Sequence, residues 1–176
     1  MKFLCFALLM IASFQPQSIF DFTTTADISQ WRIVNDGVMG GLSKGSFSLT
    51  SEGYGLFEGV VSLDNNGGFT SVRYPFSPLK TNKDSKIKLR LKGDGKEYQF
   101  RIKDNSSQYY SYIITFETNG DWQDIEIQLS QMAPSLRGRK LNLPNFSKNQ
   151  IEEIVFLIAN KKDEQFNLLL DAGALH

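Results

Sequence analysis

Residues 86–103 read Lys-Ile-Lys-Leu-Arg-Leu-Lys-Gly-Asp-Gly-Lys-Glu-Tyr-Gln-Phe-Arg-Ile-Lys, so apolar and polar side chains alternate on both sides of a short glycine-containing segment. Alternation with a period of two is typical of a β-strand that buries one face. We predict an antiparallel hairpin in which Leu91 opposes Tyr98 and residues 93–96 form the loop. A shift of one residue would place apolar side chains opposite polar ones throughout.

This register also predicts a ridge of positive charge on the outer face of the hairpin. Lys88 would lie opposite Arg101, and like charges directly opposite one another are destabilising. A later segment, residues 124–129, alternates acidic or amide side chains with apolar ones and could lie alongside as a neutralising strand. The alternative is that the ridge binds an anion or an acidic partner.

The same β-type pattern continues outward from this stretch. From Phe20 onward, short apolar runs are broken about every 8 to 12 residues by Gly, Asn or Asp, which indicates an all-β sandwich of about ten strands. We predict a single domain over residues 20–175, with one short helical turn between Ser147 and Glu153. The predicted strands are residues 31–34, 46–50, 54–63, 69–76, 86–92, 98–103, 109–117, 122–129, 154–158 and 166–170.

Composition excludes several classes of function. The chain of 176 residues carries 19 Lys and Arg against 19 Asp and Glu, which argues against a nucleic-acid or polybasic membrane binder. Its single His is His176 and its single Cys is Cys5, so a His-dependent triad, a His-rich zinc site or a disulfide framework cannot be built. We expect no catalytic residues, no cofactor and no bound metal.

The N-terminal 18 residues have the order of regions found in secretory signals. Met-Lys is followed by an apolar run over residues 3–14 and then by Gln-Pro-Gln-Ser. The apolar run is too short to span a bilayer, so we expect no transmembrane span in the mature chain. We predict a signal peptide over residues 1–18, with Ser13 and Ser18 as alternative ends, and export to the periplasm or the outside.

Two glycine-rich segments connect predicted strands. Residues 35–43 read Asn-Asp-Gly-Val-Met-Gly-Gly-Leu-Ser, which is too glycine-rich for a strand and does not fit a phosphate-binding loop. Residues 64–68 read Asp-Asn-Asn-Gly-Gly and predict a hairpin turn. Residues 35–43 are interpreted as a structural turn or, alternatively, as a binding loop.

Carboxylates leave two chemical alternatives open. Aspartates at turns, such as Asp64 and Asp121, could supply oxygen ligands to calcium, although no loop has the spacing of an EF-hand. Strand carboxylates such as Glu58 and Glu117 could in principle hydrolyse a glycoside, but no spacing singles out a pair. Both readings rank below a binding role.

Five segments together resemble the complex I intermediate-associated protein family: residues 31–43, 57–63, 65–73, 92–98 and 166–171. The resemblance extends over residues 20–175, and the first and third segments are its most specific parts. It implies a galactose-binding-like jelly roll, in agreement with the predicted strands.

The resemblance also implies a function. Mitochondrial members of this family are non-enzymatic chaperones that assist assembly of NADH:ubiquinone oxidoreductase (complex I), so the expected partners are respiratory-complex subunits or assembly intermediates. The predicted signal makes this chain an exported, bacterial-type member. The alternative function is an exported carbohydrate-binding module, in which aromatic side chains stack on sugar rings.

The candidate binding surface combines the two glycine-rich segments with nearby residues of the family motifs, because loops at the end of a sandwich place backbone donors within reach of a partner. The candidate residues are Trp31, Asn35, Asp36, Gly37, Met39, Gly40, Gly41, Ser43, Asn65, Asn66, Gly68, Phe69, Arg73, Asp94 and Tyr98.

Overall fold

The computed structural model describes residues 15–176, which form a sandwich of two antiparallel β-sheets. The predicted all-β jelly-roll class is confirmed. The thirteen strands of the described residues are β1 (Gln17–Asp21), β2 (Arg32–Asn35), β3 (Lys44–Leu49), β4 (Gly55–Val61), β5 (Thr70–Lys80), β6 (Lys86–Lys92), β7 (Glu97–Lys103), β8 (Ser111–Glu117), β9 (Trp122–Gln128), β10 (Ala133–Leu136), β11 (Arg139–Lys140), β12 (Gln150–Ile158) and β13 (Glu164–Leu175). Three short 3-10 helices occupy Asp36–Met39, Asp64–Asn66 and Leu129–Gln131.

The strands divide into a six-stranded and a seven-stranded sheet. The six-stranded sheet has the order β3-β4-β13-β6-β9, with β1 also paired to β13. The seven-stranded sheet has the order β11-β10-β8-β7-β12-β5-β2. Ten strands correspond to the predicted ones, and the three that sequence reasoning missed are β1, β10 and β11. The predicted helical turn before Glu153 is wrong, because those residues enter the long strand β12.

The predicted hairpin of residues 86–103 is also wrong. β6 lies in the six-stranded sheet between β13 and β9, whereas β7 lies in the seven-stranded sheet between β8 and β12. The segment 93–96 therefore crosses from one sheet to the other. Leu91 and Tyr98 both point into the core between the sheets, and both are fully buried. Two strands that face each other across the core need the same alternation of apolar and polar residues as two strands paired in a hairpin. The alternation alone therefore could not distinguish the two arrangements.

The segment 64–68 crosses between sheets as well and is not a hairpin turn. β4 belongs to the six-stranded sheet and β5 to the seven-stranded sheet. The neutralising strand, in contrast, is confirmed: β9 lies beside β6, with Lys88 opposite Glu126 and Arg90 opposite Asp124.

The N-terminal strand bears on the predicted signal peptide. Residues 1–14 lie outside the described residues, so most of the predicted signal does too. Residues 17 and 18, however, are the first residues of β1, and they pair with Leu175 and Ala174 of β13. Removal of residues 1–18 would therefore shorten an ordered strand, whereas an end at Ser13 would leave it whole.

An aromatic group closes one part of the core. The Trp31 ring stacks between Phe47 and Tyr74, with 4.7 Å between centroids on each side. Phe20 and Phe22 of the N-terminal segment contact the same ring, at centroid distances of 5.5 and 5.4 Å. These contacts join residues from both sheets and stabilise the sandwich through burial and ring geometry.

Candidate functional site

Asp36 lies where the chain twice crosses between the sheets. The segment 36–43 leads from β2 to β3, and the segment 62–69 leads from β4 to β5. The Asp36 carboxylate is 1% exposed and accepts hydrogen bonds from the backbone N–H of Ser43 (3.1 Å), Gly68 (2.7 Å) and Phe69 (3.3 Å), and from the Ser43 hydroxyl. One buried carboxylate thus holds both crossings together. We call this group of residues the Asp36 junction.

Hydrogen bonding keeps Asp36 ionised. Burial alone would raise the pKa of its carboxyl group, but the donors from Ser43, Gly68 and Phe69 outweigh that effect and hold the pKa below its usual range. A side chain at Gly41 would overlap the carboxyl group of Asp36, and one at Gly67 would lie 2.6 Å from the Ser62 carbonyl oxygen. These glycines are therefore explained by close packing around a charge.

Asn35 extends the Asp36 junction. Its Oδ1 accepts hydrogen bonds from the Gly45 N–H (3.2 Å) and the Thr70 hydroxyl. In contrast, Asn65 and Asn66 are exposed at the tip of the second crossing, where both adopt positive φ angles of 54° and 61°.

The remaining predicted residues of the first crossing differ in exposure from Asp36 and Ser43. Gly37 and Gly40 are exposed, and Gly40 ends the short 3-10 helix with a φ of 88°. The side chain of Met39 lies outside what the structure describes. The loop tips are therefore accessible, while Asp36 and Ser43 face inward.

Asp94 and Tyr98 form a separate cluster on the crossing between β6 and β7. The Tyr98 hydroxyl donates to Asp94 Oδ1 (2.9 Å) and to the carbonyl oxygen of Asn167 (3.0 Å), while the Asn167 N–H donates to Asp94 Oδ2 (3.1 Å). Burial and then the charge of Asp94 raise the pKa of Tyr98 well above its usual value. This cluster holds the crossing against β13 and borders an open depression of about 520 Å³, lined in part by Lys96 and Glu58.

The structure does not bring the predicted site residues into one surface. Trp31 lies in the core, Asp94 and Tyr98 lie beside β13, and most of the glycine-rich residues surround Asp36. Arg73 lies elsewhere, on the outer face of the seven-stranded sheet. Contact of these residues with a partner stays a prediction, and their geometry assigns the buried ones a role in holding the sheets together.

Arg73 belongs to a row of side chains that crosses four strands. Residues directly opposite in antiparallel strands share a face. Arg32 of β2 lies opposite Arg73 of β5, Arg73 lies opposite Val155 of β12, and Val155 lies opposite Arg101 of β7. The adjacent pair is Glu153 and Lys103. We call the outward-facing set of Arg32, Arg73, Arg101, Lys103, Glu153, Val155, Leu157 and Gln99 the arginine face.

The apolar residues of the arginine face are unusually buried for an outer surface. Val155 is 1% exposed and Leu157 is 3% exposed, yet neither belongs to the core cluster that contains their neighbours Ile154 and Phe156. Long polar side chains beside them can cover apolar surface with their aliphatic stems. The apolar side chains of this outer face are therefore partly covered by polar ones, and the charges lie close to apolar atoms.

The charges of the arginine face are incompletely paired. Glu153 lies 3.6 Å from an Arg73 guanidinium nitrogen and 3.9 Å from Lys103 Nζ, but no hydrogen bond accompanies either contact. Arg73 Nε and Glu153 Oε1 are both buried without a hydrogen-bond partner among the described residues. Arg101 donates to Gln99 Oε1 at 2.6 and 3.2 Å. Burial and then the nearby charge of Arg73 lower the pKa of Arg101 to about 10.

The outer face of the six-stranded sheet is different. Lys86 lies 2.8 Å and Lys88 3.7 Å from Glu126, and Arg90 lies 3.5 Å from Asp124 and 3.1 Å from Asp171. We call this set of charges the paired face. Its cations are all more than a third exposed.

Sequence reasoning identified Arg73 but missed the rest of the arginine face. Alternation in β7 correctly turned Arg101 and Lys103 outward. The hairpin register then placed them opposite Lys88 and Lys86, which lie on the other side of the molecule. The sequence singled out Arg32 only through its position beside Trp31. Nothing in the sequence indicated that Arg32 pairs with Arg73 across two strands.

Residues 15–176 contain neither a cluster of metal-binding side chains nor a helix that could span a membrane. No group of three or more His, Cys, Asp or Glu side chains there could hold a metal ion. No helix in that part of the chain has the length and hydropathy of a membrane span.

Solved structures with the same fold include carbohydrate-binding modules. The chain superposes with a TM-score of 0.70 and 17% identity on the family 11 carbohydrate-binding module of the cellulosomal cellulase Lic26A-Cel5E of Clostridium thermocellum, covering 93% of this chain and 95% of that one. A structure of a family 11 module from the same organism, in complex with a β-1,3-1,4-mixed-linked tetrasaccharide, gives a TM-score of 0.66 and 16% identity over 90% of this chain and 94% of that one. At this level of identity the likeness concerns the fold.

Sequence comparison identifies the family. The mouse (Mus musculus) mitochondrial complex I intermediate-associated protein 30 is 22% identical over 185 aligned positions, which cover 89% of this chain and 55% of the mouse protein. The chain thus spans about half the length of this curated relative. The sequence model for complex I intermediate-associated protein 30 matches residues 20–170, which include β2 to β12 and most of β13. The chain therefore belongs to the complex I intermediate-associated protein 30 (CIA30) family.

Proposed function

We propose that this domain is a non-catalytic, protein-binding module that assists assembly of NADH:ubiquinone oxidoreductase. The observation that carries the proposal is the family match over residues 20–170, which takes in nearly the whole sandwich. The name of the mouse relative refers to complex I intermediates, and the alignment with it covers 89% of this chain. Carbohydrate-binding modules with the same fold support a binding role over a catalytic one.

The arginine face is the proposed binding surface. It combines half-buried cations, an unpaired buried guanidinium nitrogen and an apolar floor. Buried polar groups are normally hydrogen-bonded, so Arg73 and Glu153 leave the charges of this face incompletely satisfied by the chain itself. The Asp36 junction, by comparison, already satisfies its own charge, and we assign it to the fold.

Carbohydrate binding is the second candidate function. The family 11 modules favour it, because two of them superpose over at least 90% of this chain. The arginine face itself favours protein. Its two central rows hold Val155 and Leu157 between polar side chains, and neither row contains an aromatic ring that could stack on a sugar.

We also propose that the protein is exported and cleaved before β1. The apolar run over residues 3–14 supports this, and the pairing of Gln17 with Leu175 favours an end at Ser13 over an end at Ser18. N-terminal sequencing of the protein purified from its native cell tests the proposal. A mature N-terminus at residue 14 supports it, and an uncleaved chain contradicts it.

Crosslinking in the native cell tests the proposed function. The tagged full-length protein is crosslinked, purified under denaturing conditions and analysed by mass spectrometry. We expect subunits or assembly intermediates of NADH:ubiquinone oxidoreductase among the crosslinked proteins, and reduced assembly of that complex when the gene is deleted. Intact assembly in the deletion strain, with no respiratory subunit recovered, would contradict the proposal. Retention of the protein on a neutral polysaccharide column in that case would favour the carbohydrate alternative.

A further inference from the structure

The arginine face carries more positive than negative charge. Its charged residues are the four cations Arg32, Arg73, Arg101 and Lys103 and one carboxylate, that of Glu153. The excess over these five groups is three positive charges. Among the described residues, Arg101 forms no ion pair within 4.0 Å.

The acidic residues at the two ends of β7 do not neutralise this excess. Asp104, which directly follows the strand, lies 3.8 Å from Lys148 Nζ. Glu97 is four residues from Arg101 in β7 and lies opposite Glu117 of β8. Four residues of a strand span about 13 Å, and charges in solvent are screened within about 8 Å at physiological salt. The positive end of the face is therefore electrostatically distinct from the acidic end.

The paired face serves as an internal reference. It also presents several cations on adjacent strands, but each of Lys86, Lys88 and Arg90 has a carboxylate within 3.7 Å. Those pairs are exposed to solvent, where unpaired charge costs little. On the paired face, the cations have carboxylate partners although solvent alone would stabilise them. On the arginine face, charges lack such partners although burial makes unpaired charge unfavourable.

The geometry indicates what kind of group would complete the arginine face. The Arg73 side chain is 31% exposed, and a guanidinium binds a carboxylate through two parallel hydrogen bonds. Arg73 and Arg101 lie on either side of Val155, two strand spacings or about 10 Å apart. In the polyproline II conformation, which has three residues per turn and a rise of about 3.1 Å, residues i and i+3 point to the same side and are separated by about 9 Å.

Resting on the proposed protein-binding function, we propose that the arginine face binds an acidic segment of a partner protein in the polyproline II conformation. Carboxylates at positions i and i+3 of that segment contact Arg73 and Arg101, and an apolar side chain between them packs over Val155. Arg32 contributes further attraction at the edge of the sheet. The aliphatic floor and the absence of stacking rings in the central rows favour peptide over polysaccharide.

Fluorescence anisotropy with a synthetic probe tests this inference. The probe is a labelled peptide with two copies of Asp-Gly-Val-Asp, and the matched control peptide carries Asn-Gly-Val-Asn. We expect the purified full-length protein to bind the acidic peptide, more weakly as salt is raised, and to bind the amide peptide at least about tenfold more weakly.

Variants on the two faces form the matched controls. The double variant Arg73→Gln/Arg101→Gln should weaken binding of the acidic peptide at least about tenfold. The double variant Lys88→Gln/Arg90→Gln on the paired face removes the same number of charges and should leave affinity within about twofold. The single variant Arg32→Gln changes an exposed position and should weaken binding about threefold. It keeps the inference testable if the double variant misfolds, and thermal unfolding shows whether the double variant is folded.

Several results would overturn the inference. Equal binding of the acidic and amide peptides is one, and equal losses in the two double variants is another. Binding of polygalacturonate without binding of the acidic peptide would assign the face to an acidic polysaccharide instead. The crosslinking experiment separates the two proposals. Unchanged recovery of respiratory subunits by Arg73→Gln/Arg101→Gln refutes the arginine face alone, whereas no recovery by the wild type refutes the proposed function.

Discussion

The Asp36 junction and the arginine face both bury charge, but only one of them satisfies it. The Asp36 carboxylate accepts four hydrogen bonds from residues of two crossing segments. On the arginine face, Arg73 Nε and Glu153 Oε1 are buried without any. A satisfied buried charge rigidifies a fold, and an unsatisfied one lowers its stability until a ligand arrives. The comparison therefore separates residues that serve the fold from those of the proposed binding surface.

Loss of the Asp36 carboxylate should have the largest effect. Asp36→Ala leaves three backbone N–H groups and the Ser43 hydroxyl without their acceptor, so we expect the free energy of unfolding to fall by at least about 3 kcal/mol in urea denaturation. The matched control is Asp64→Ala, which removes an exposed carboxylate from the second crossing and should change stability by less than about 0.5 kcal/mol. Equal effects of the two substitutions would remove the distinction.

The contribution of the Asp36 carboxylate to stability should depend on pH. Because the pKa of Asp36 is lower in the folded protein than its ordinary value of 3.8, the stability that it contributes is complete above that value and is lost as the pH falls through its folded pKa. We expect the stability difference between wild type and Asp36→Asn to be constant between pH 5 and 7, within the range where the carboxyl stays ionised, and to narrow below about pH 4. Urea denaturation at several pH values measures it, and a difference that does not change with pH would contradict it.

The arginine face should respond in the opposite direction to loss of a charge. Arg101→Met removes a half-buried cation beside Arg73, so we expect the free energy of unfolding to rise by about 1 kcal/mol. The gain is present while Arg101 of the wild type is protonated in the fold, and it should shrink as the pH rises through about 10. Destabilisation by this substitution, in urea denaturation at pH 7, would show that Arg101 supports the fold.

The smallest effect is expected on the paired face. Lys88 and Glu126 are each about half exposed, and solvent screens their interaction at 3.7 Å. Lys88→Gln should therefore change the free energy of unfolding by less than about 0.5 kcal/mol. A change above about 1 kcal/mol in the same assay would mean that the paired face supports the sandwich more than its exposure indicates.

Local sequence pattern predicted the strands better than it predicted their partners. Ten strands were placed near their observed positions, because alternation depends on which side chains face the core. The three missed strands have specific causes: the first two residues of β1 were assigned to the signal peptide, β10 contains Pro134, and β11 has only two residues. The hairpin of residues 86–103 failed because Leu91 and Tyr98 meet across the core instead of within one sheet.

The candidate site was only partly accessible from sequence. The glycine-rich segments were recognised, but their pattern did not reveal that Gly41 and Gly67 make room for the carboxylate of Asp36. Arg73 was identified as a candidate, but its neighbours on the arginine face were not. Arg32, Arg101 and Glu153 come from three other strands, far apart in the chain, and no spacing within the sequence connects them.

The sequence by itself determined the β class, the strand positions, the balance of charge and the family. These properties depend on composition, on periodicity along one strand and on motifs that are contiguous in the chain. Only the tertiary structure decided which strands share a sheet, that Asp36 joins the two crossings, and that three arginines share a face with one glutamate. Side-chain burial and charge pairing across strands depend on the order of strands in the sheets, and that order is set by the packing of the whole core.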